Sequence, residues 1–278
     1  MLAYFPVPYE DELLYSIIAR YAVHTGQQEN RRAVSRDIFG KQTAVAIPDL
    51  PSHLQVFTER VSTIWPIDVE EVIKRHTLAP VYFPFLNPKQ SAQVIQSMHS
   101  EQGGNIHTRA GIAATSVQKP EYFRYCPQCY QEQQKNLGEP YWSRLNQISG
   151  VNVCIKHTYL LQPSGLPLYS KQKHLYKSAS LIGEISEPQR VEITDIERQL
   201  INRFKALLTN PVLSGSTEHQ WSMFYLKVAK ELNFSRGNQA EHKKIRDKFE
   251  SDWGHLESRI YTLDTSDNNW LICLFRKH

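Results

Sequence analysis

Apolar positions along this chain fall first into helical stripes. Leu13, Leu14, Ile17, Ile18, Tyr21 and Ala22 recur at i, i+4 and i+8 and predict a helix over residues 9–25. Glu10, Asp11 and Glu12 would fill its first turn, where the helix dipole favours negative charge. Pro6 and Pro8 keep the entry extended, and Gly26 supplies a stop. A shorter helix fits residues 30–39, with Arg31, Arg32 and Arg36 set against Ala33, Val34, Ile38 and Phe39, and Gly40 ends it. A third, over 52–62, carries Leu54, Phe57 and Val61. Asp68 with Glu71 reads as a capping box opening a fourth on Val69, Val72 and Ile73. Residues 78–86 place Pro80 and Pro84 among Val81, Tyr82, Phe83 and Phe85. That stretch is too broken for a helix and too apolar for an exposed loop, so it is expected to pack across the domain. Asn87-Pro88 is an N-cap and N1 signal for a fifth helix reaching about Glu101. Gly103-Gly104 breaks it, and a short helix fits within 105–115.

The second half is patterned differently. Pro163-Ser164-Gly165-Leu166-Pro167 punctuates the chain, and residues 168–193 are poorly periodic, as an extended connector would be. Thr194 with Glu197 is another capping box, before Ile196, Leu200, Ile201, Phe204, Leu207 and Leu208. Asn210-Pro211 stops that helix. A further helix over 218–232 carries Trp221, Phe224, Tyr225, Val228, Ala229 and Leu232. After it, a basic helix over 239–256 has Ile245, Phe249, Trp253 and Leu256 on one side. Residues 9–39 and this last pair are the two candidates for a helix-turn-helix, although a plain bundle is the simpler reading of the first. The run Trp270 to Phe275 holds Cys273 as a buried small hydrophobe. Arg276-Lys277-His278 follows it with no stop signal, which leaves open that the chain is the front part of a longer protein.

Composition adds limits. At 278 residues there is room for about two domains. Hydrophobic content of 41% and charged content of 22% describe an ordinary globular protein. No apolar run approaches the ~18 residues that a membrane helix needs, and the N-terminus has neither the basic nor the apolar region of a signal peptide. The net charge of +4 permits a nucleic-acid or acidic partner without requiring one.

The chemistry concentrates in Cys126-Pro127-Gln128-Cys129 and Cys154-Ile155-Lys156-His157. Three of the chain's four cysteines fall here. Two x2-spaced pairs supply the four corners of a closed Cys3His site, the usual form of structural zinc, with no corner left for water. One zinc ion held by Cys126, Cys129, Cys154 and His157 would staple the module together without catalysing anything. Such cysteine usage suits a reducing compartment, here the cytoplasm. Tyr122, Phe123, Tyr125, Tyr141 and Trp142 flank the ligands. They are expected to form the module's core in preference to stacking on bases. Three other readings exist. The cysteines could be unconnected. The first pair could be a redox dithiol, although no βαβ alternation surrounds it. Or His99-Ser100-Glu101 could combine with the first pair as in a zinc deaminase, although the proline lies inside the pair. The architecture predicted is mainly α: a helical N-terminal domain (1–118), a Cys3His zinc-finger module (119–165), and a connector with a helical, helix-turn-helix-like C-terminal domain (166–278). Arg236, Lys243, Lys244, Arg246 and Lys248 outnumber Glu241 and Asp247. The first four are candidate DNA phosphate contacts, against the bland alternative of a solvated face.

These residues together resemble the TniQ/TnsD family of transposon target-site selectors, and the TnsD branch more than the TniQ branch. Phe5-Pro6-Val7-Pro8-Tyr9-Glu10-Asp11-Glu12-Leu13 with Ser16, Arg20 and Gly26 is similar to its N-terminal signature. Arg124 to Cys129, then Tyr141-Trp142 and Arg144, then Cys154 to His157 with Leu160, is similar to its zinc-finger core. Leu50 to Leu54, His76 to Leu78 and Trp270 to His278 also resemble the TnsD branch. Where the family often has a second Trp soon after the Arg, this chain has Leu145-Asn146. The resemblance implies a protein that is not an enzyme. It would bind an attachment site in duplex DNA and recruit the AAA+ ATPase regulator TnsC, with no membrane partner and nucleoid association when DNA-bound. The alternatives kept beside it are a zinc-dependent or thiol enzyme acting on nucleic acid, and a CRISPR-associated TniQ-type adaptor that reads no DNA itself.

Overall fold

Helices dominate, and their ends follow capping chemistry already visible in the residues. The computed structural model describes residues 2–253 apart from 31, 102, 113–118, 214, 216, 218 and 219. Arg31, Glu218, Leu256, Cys273 and the run from Trp270 to His278 lie outside the described residues, as does the side chain of Trp253. The first four helices are α1 (Leu14–His24), α2 (Ala33–Phe39), α3 (Leu54–Val61) and α4 (Val69–His76). Asp68 caps α4 by accepting from the Glu71 amide, and Gly40 ends α2 in the left-handed conformation, at φ 68°. The proline-broken stretch is helical after all. It forms α5 (Ala79–Tyr82) and a 3-10 turn over Phe83–Phe85, each with a proline in its first turn, where the missing N–H costs no bond. Next come α6 (Pro88–His99), with a full Asn87/Gln90 capping box, and the short α7 (Ile106–Arg109).

Strand β1 (Tyr122–Tyr125) leads into α8 (Pro127–Leu137). It pairs antiparallel with β2 (Gln162–Pro167), matching Tyr122 with Pro167 and Tyr125 with Gln162 around a bulge. The punctuating prolines at 163 and 167 are therefore strand residues in a two-stranded sheet, where neither has a neighbour on its far side to disappoint. The connector that follows has no α-helix, only a 3-10 turn at Ala179–Leu181. It returns to the N-terminal helices: the Tyr15 hydroxyl donates to the Leu175 carbonyl (3.4 Å) and accepts from the Lys177 amide (2.9 Å). The Ala46 amide donates to the Tyr176 hydroxyl (3.1 Å). Helix α9 (Asp195–Thr209) opens with the reciprocal Thr194/Glu197 box and packs against α4, α5 and the 3-10 turn over Leu145–Gln147.

The final pair, α10 (Gln220–Glu231) and α11 (His242–Trp253), forms as expected. Its link is a small hairpin, β3 (Ser235–Arg236) with β4 (Gln239–Ala240), in place of a tight turn. Gly237 makes that reversal at φ 59°. Trp221 anchors α10 by donating its Nε1–H to the Pro84 carbonyl (2.8 Å).

One hydrophobic cluster runs from Phe5 to Leu208 and is centred on α1, whose Leu14, Ile17 and Ile18 are fully buried, as is Leu13 at its N-cap. The acidic trio before α1 does not sit in its first turn. Asp11 adopts φ 55°, which no helix tolerates, and Glu12 forms an isolated antiparallel bridge with Ser143. Among the described residues no helix is long and apolar enough to cross a membrane.

Candidate metal centre

β1 ends where the first knuckle begins. Cys126 is the N-cap of α8 and Cys129 lies in its first turn. Pro127 at N1 fixes φ for the helix entry. The second knuckle, 154–157, is a turn closed by the Thr158 amide on the Cys154 carbonyl (2.8 Å). It is held in place by the Cys154 amide on the Tyr159 carbonyl (2.8 Å). The pairing of β1 with β2 brings these two distant turns together. The ligand atoms of Cys126, Cys129, Cys154 and His157 all lie within 4.8 Å of one another. His157 Nδ1 is 3.5, 3.2 and 3.7 Å from the sulfurs of Cys126, Cys129 and Cys154, and the Cys129 and Cys154 sulfurs are 3.6 Å apart. A tetrahedron with bonds of about 2.3 Å to sulfur sets its corners about 3.8 Å apart. The donor set therefore fits a tetrahedral metal ion in both geometry and chemistry.

Electrostatics agree. Crowding against Cys126 and Cys154 pushes the Cys129 thiol well above its ordinary range. The thiols of Cys126 and Cys129 donating toward Cys154 hold that sulfur low, and the His157 and Lys156 amides assist. Three thiolates at such separations need a cation between them. With Nδ1 facing the sulfurs, His157 Nε2 faces Glu132 Oε1 at 3.1 Å, and the other oxygen of Glu132 pairs with Lys156. A carboxylate behind the imidazole fixes its tautomer and orients it toward a metal. Replacing Glu132 with Ala is expected to weaken metal affinity by about 10–100-fold. Competition with a chromophoric chelator measures this, and equal affinities would remove Glu132 from the site.

The module is clamped to α1 by charges that read differently in sequence. Glu12, fully buried, accepts from Arg20 Nη1 (2.8 Å), the Ser16 hydroxyl (2.8 Å) and the Tyr9 amide (3.0 Å). Arg20 Nη2 reaches Glu139, just past α8, at 2.7 Å. His24 Nε2 meets the other oxygen of Glu139 at 2.7 Å, and the Arg20 guanidinium sits 3.9 Å from the centre of the Tyr9 ring. Arg144 makes the second clamp. Its Nε donates to Asp11 (3.0 Å) and its Nη1 to the carbonyl of Lys74 (2.8 Å), while Asp11 also accepts from the Leu145 amide (3.0 Å). Of the flanking aromatics Phe123, Tyr125 and Trp142 are core, whereas Tyr122 and Tyr141 are only partly buried; Trp142 is stacked on Phe123 at 4.7 Å and donates Nε1–H to the Lys177 carbonyl (2.8 Å). Tyr9, Asp11, Glu12, Ser16, Arg20 and Arg144 all stand in the quoted signature, but nothing in the sequence paired them with one another or with Glu139.

Among the described residues the metal-holding group comprises these four ligands; His99 and Glu101 are not in it. His99 ends α6 and Glu101 pairs with Lys41 at 2.9 Å, so the deaminase arrangement does not form. The four candidate DNA contacts lie together at the far end of the chain. Arg236 is exposed on β3, and Lys243, Lys244 and Arg246 are on α11. Lys244 pairs with Glu241, and Arg246 lies 3.9 and 3.8 Å from Asp247 and Glu250.

The sequence model of the TniQ family matches residues 3–161, more than half of the chain, from the segment before α1 through both knuckles. The chain is also similar to the Tn7 transposition protein TnsD of Escherichia coli, at 29% identity over 279 residues. That alignment covers 99% of this chain and 54% of the relative. The chain thus spans about half the length of the curated relative it matches.

Proposed function

The chain belongs to the TniQ family, and from that premise we propose that it is a target-site selector of a transposon. It binds duplex DNA at an attachment site and recruits the AAA+ ATPase regulator TnsC, without enzymatic activity of its own, in the cytoplasm. The observation that carries this reading is the extent of the similarity to TnsD. It continues beyond the family match through α9, α10 and α11, so it includes the basic helix as well as the clamped N-terminal unit.

In this reading one structural zinc ion is held by Cys126, Cys129, Cys154 and His157. Four protein ligands leave no corner for a substrate or water, which argues against a zinc enzyme. The helices up to residue 118 offer the surface for the ATPase. The module over 119–165 fixes their orientation, and residues 166–278 face the DNA. Arg236, Lys243, Lys244 and Arg246 meet phosphates and set register, leaving sequence to be read by other side chains at base edges.

Two measurements test it. A pull-down with the cognate ATPase, with and without attachment-site DNA, is expected to retain the ATPase. Binding to duplex DNA is expected to weaken with salt at a log–log slope of about −0.9 per phosphate contact. Substituting Lys243, Lys244 and Arg246 together with Gln is expected to reduce that slope by about 1–3 units, the lower end if the ion pairs of Lys244 and Arg246 persist on DNA. An unchanged slope would move the DNA surface off α11. No binding by the unaltered protein at low salt would leave only an adaptor role.

A further inference from the structure

The outward face of α9 is polar and exposed from end to end. At 3.6 residues per turn its exposed positions form one stripe. Asn202 and Ala206 lie along the middle, with Arg198 and Lys205 on one side and Gln199 and Arg203 on the other. We infer, on the reading that the chain binds duplex DNA, that α9 enters the major groove and reads its sequence there. Asn202 and Gln199 meet adenine edges, and Arg198, Arg203 and Lys205 meet the phosphates on either side.

A merely solvated helix looks different in this protein. On α4, Lys74 and Arg75 pair with Glu70 and Glu71. On α10, Lys227 pairs with Glu231, and on α11 Lys244 and Arg246 pair with Glu241 and Glu250. Arg198, Arg203 and Lys205 have no such partner among the described residues. No acid occurs between Glu197 and Glu218, and Glu197 is itself buried in the capping box with Thr194. Asp195 is the face's one acid and lies in the first turn, where the helix dipole favours it. A protein partner fits this face less well, because protein interfaces are anchored by aromatic and large apolar side chains. Here Ile196, Leu200, Phe204 and Leu207 are half-buried on the opposite side.

Duplex DNA fits it in chemistry and size. A side-chain amide bonds N6 and N7 of adenine together, and an alanine methyl meets that of thymine. Cations on both flanks meet the two phosphate strands that border the groove. The helix has 15 residues, a length of about 22 Å, and a groove about 12 Å wide admits it. Its mount is firm. The capping box closes its start, and Arg144 Nη2 donates to the Leu208 carbonyl (3.4 Å) at its end. α9 packs on α5, and Trp221 of α10 bonds the Pro84 carbonyl just beyond α5. The reading helix and the basic α10–α11 pair thus share one support.

Selection of bound duplexes from a random-sequence library, followed by sequencing, tests the assignment. The unaltered chain is expected to enrich a motif that contains adenine. Asn202→Ala should reduce the preference for adenine at one position by about tenfold and leave the salt dependence unchanged. Gln199→Ala should do the same at a neighbouring position. Arg198→Gln, Arg203→Gln and Lys205→Gln together should lower the log–log salt slope by about 2–3 units on every sequence. Unchanged metal content and circular dichroism confirm the fold of each variant. Three results would overturn the role of α9 and leave DNA binding standing: no enriched motif, the same motif from both amide variants, or a full salt slope in the triple variant. A triple variant that binds DNA as before but loses the ATPase in a pull-down would give the face to an acidic protein, and would also overturn it. If the unaltered chain binds no duplex at low salt, the parent reading fails and this one with it.

Discussion

Stripping the metal with a strong chelator at neutral pH is expected to unfold the protein globally, well beyond the two knuckles. The reason lies in where the ligands sit. Cys126 is fully buried, and the strand before it delivers Phe123 against Tyr15 of α1 at 5.0 Å between ring centres. The module's apolar residues belong to the same cluster as α1. Metal binding in small zinc modules is worth about 10–16 kcal/mol of apparent folding energy, as much as the whole net stability of a typical domain, about 5–15 kcal/mol. Elemental analysis should give one zinc per chain. Chelation should shift Trp fluorescence to the red and abolish the near-ultraviolet dichroism to which the stacked Trp142 and Phe123 contribute. Cys154→Ser should reproduce the effect. A metal-free protein that unfolds at the same denaturant midpoint would sink the staple.

Arg20→Met is expected to cost about 3–5 kcal/mol, the usual loss when one partner of a buried ion pair is removed. It leaves Glu12 with no accessible surface and no counter-charge, and it severs the tie to Glu139. Burial already pushes the Glu12 carboxyl up to about 7, with Arg20 pulling it down. Without Arg20 it rises further. A carboxyl raised in the folded state is most compatible with folding below its unfolded value, about 4.3, and stability is lost as pH rises through the folded value. The variant's deficit should therefore be largest near pH 8 and shrink toward pH 5. Adding Glu12→Gln removes the stranded charge and should recover part of the loss, a coupling that a double-mutant cycle reads directly. Denaturant midpoints across pH check both points. A deficit that does not vary with pH would mean that packing, not charge, holds α1 to the module.

How far the residues disclosed this structure depends on the range of the interaction. Capping at Asp68, Asn87 and Thr194 involves partners three residues away, and each was legible. The four ligands were legible because metal chemistry restricts spacing. By contrast Asp11 and Glu12 looked like ordinary first-turn acids, because nothing local distinguishes them. Their partners are Arg144 and Arg20, and Glu12 faces Ser143 across the chain. Pro163 to Pro167 looked like punctuation for the same reason, since a strand with so little β-propensity is specified by its partner. Leu145 packs on the core edge, and its amide serves Asp11.

The returning connector has a consequence for how the chain is made. Residues 175–177 supply a hydroxyl and carbonyls to Ala46, Tyr15 and Trp142. During synthesis the N-terminal helices and both knuckles emerge from the ribosome before the segment that completes their hydrogen bonds. A fragment cut at residue 161, where the family match stops, would lack β2 and leave the buried Trp142 indole without its acceptor. Expression of the domain alone should extend past residue 182 to capture the segment that seals it.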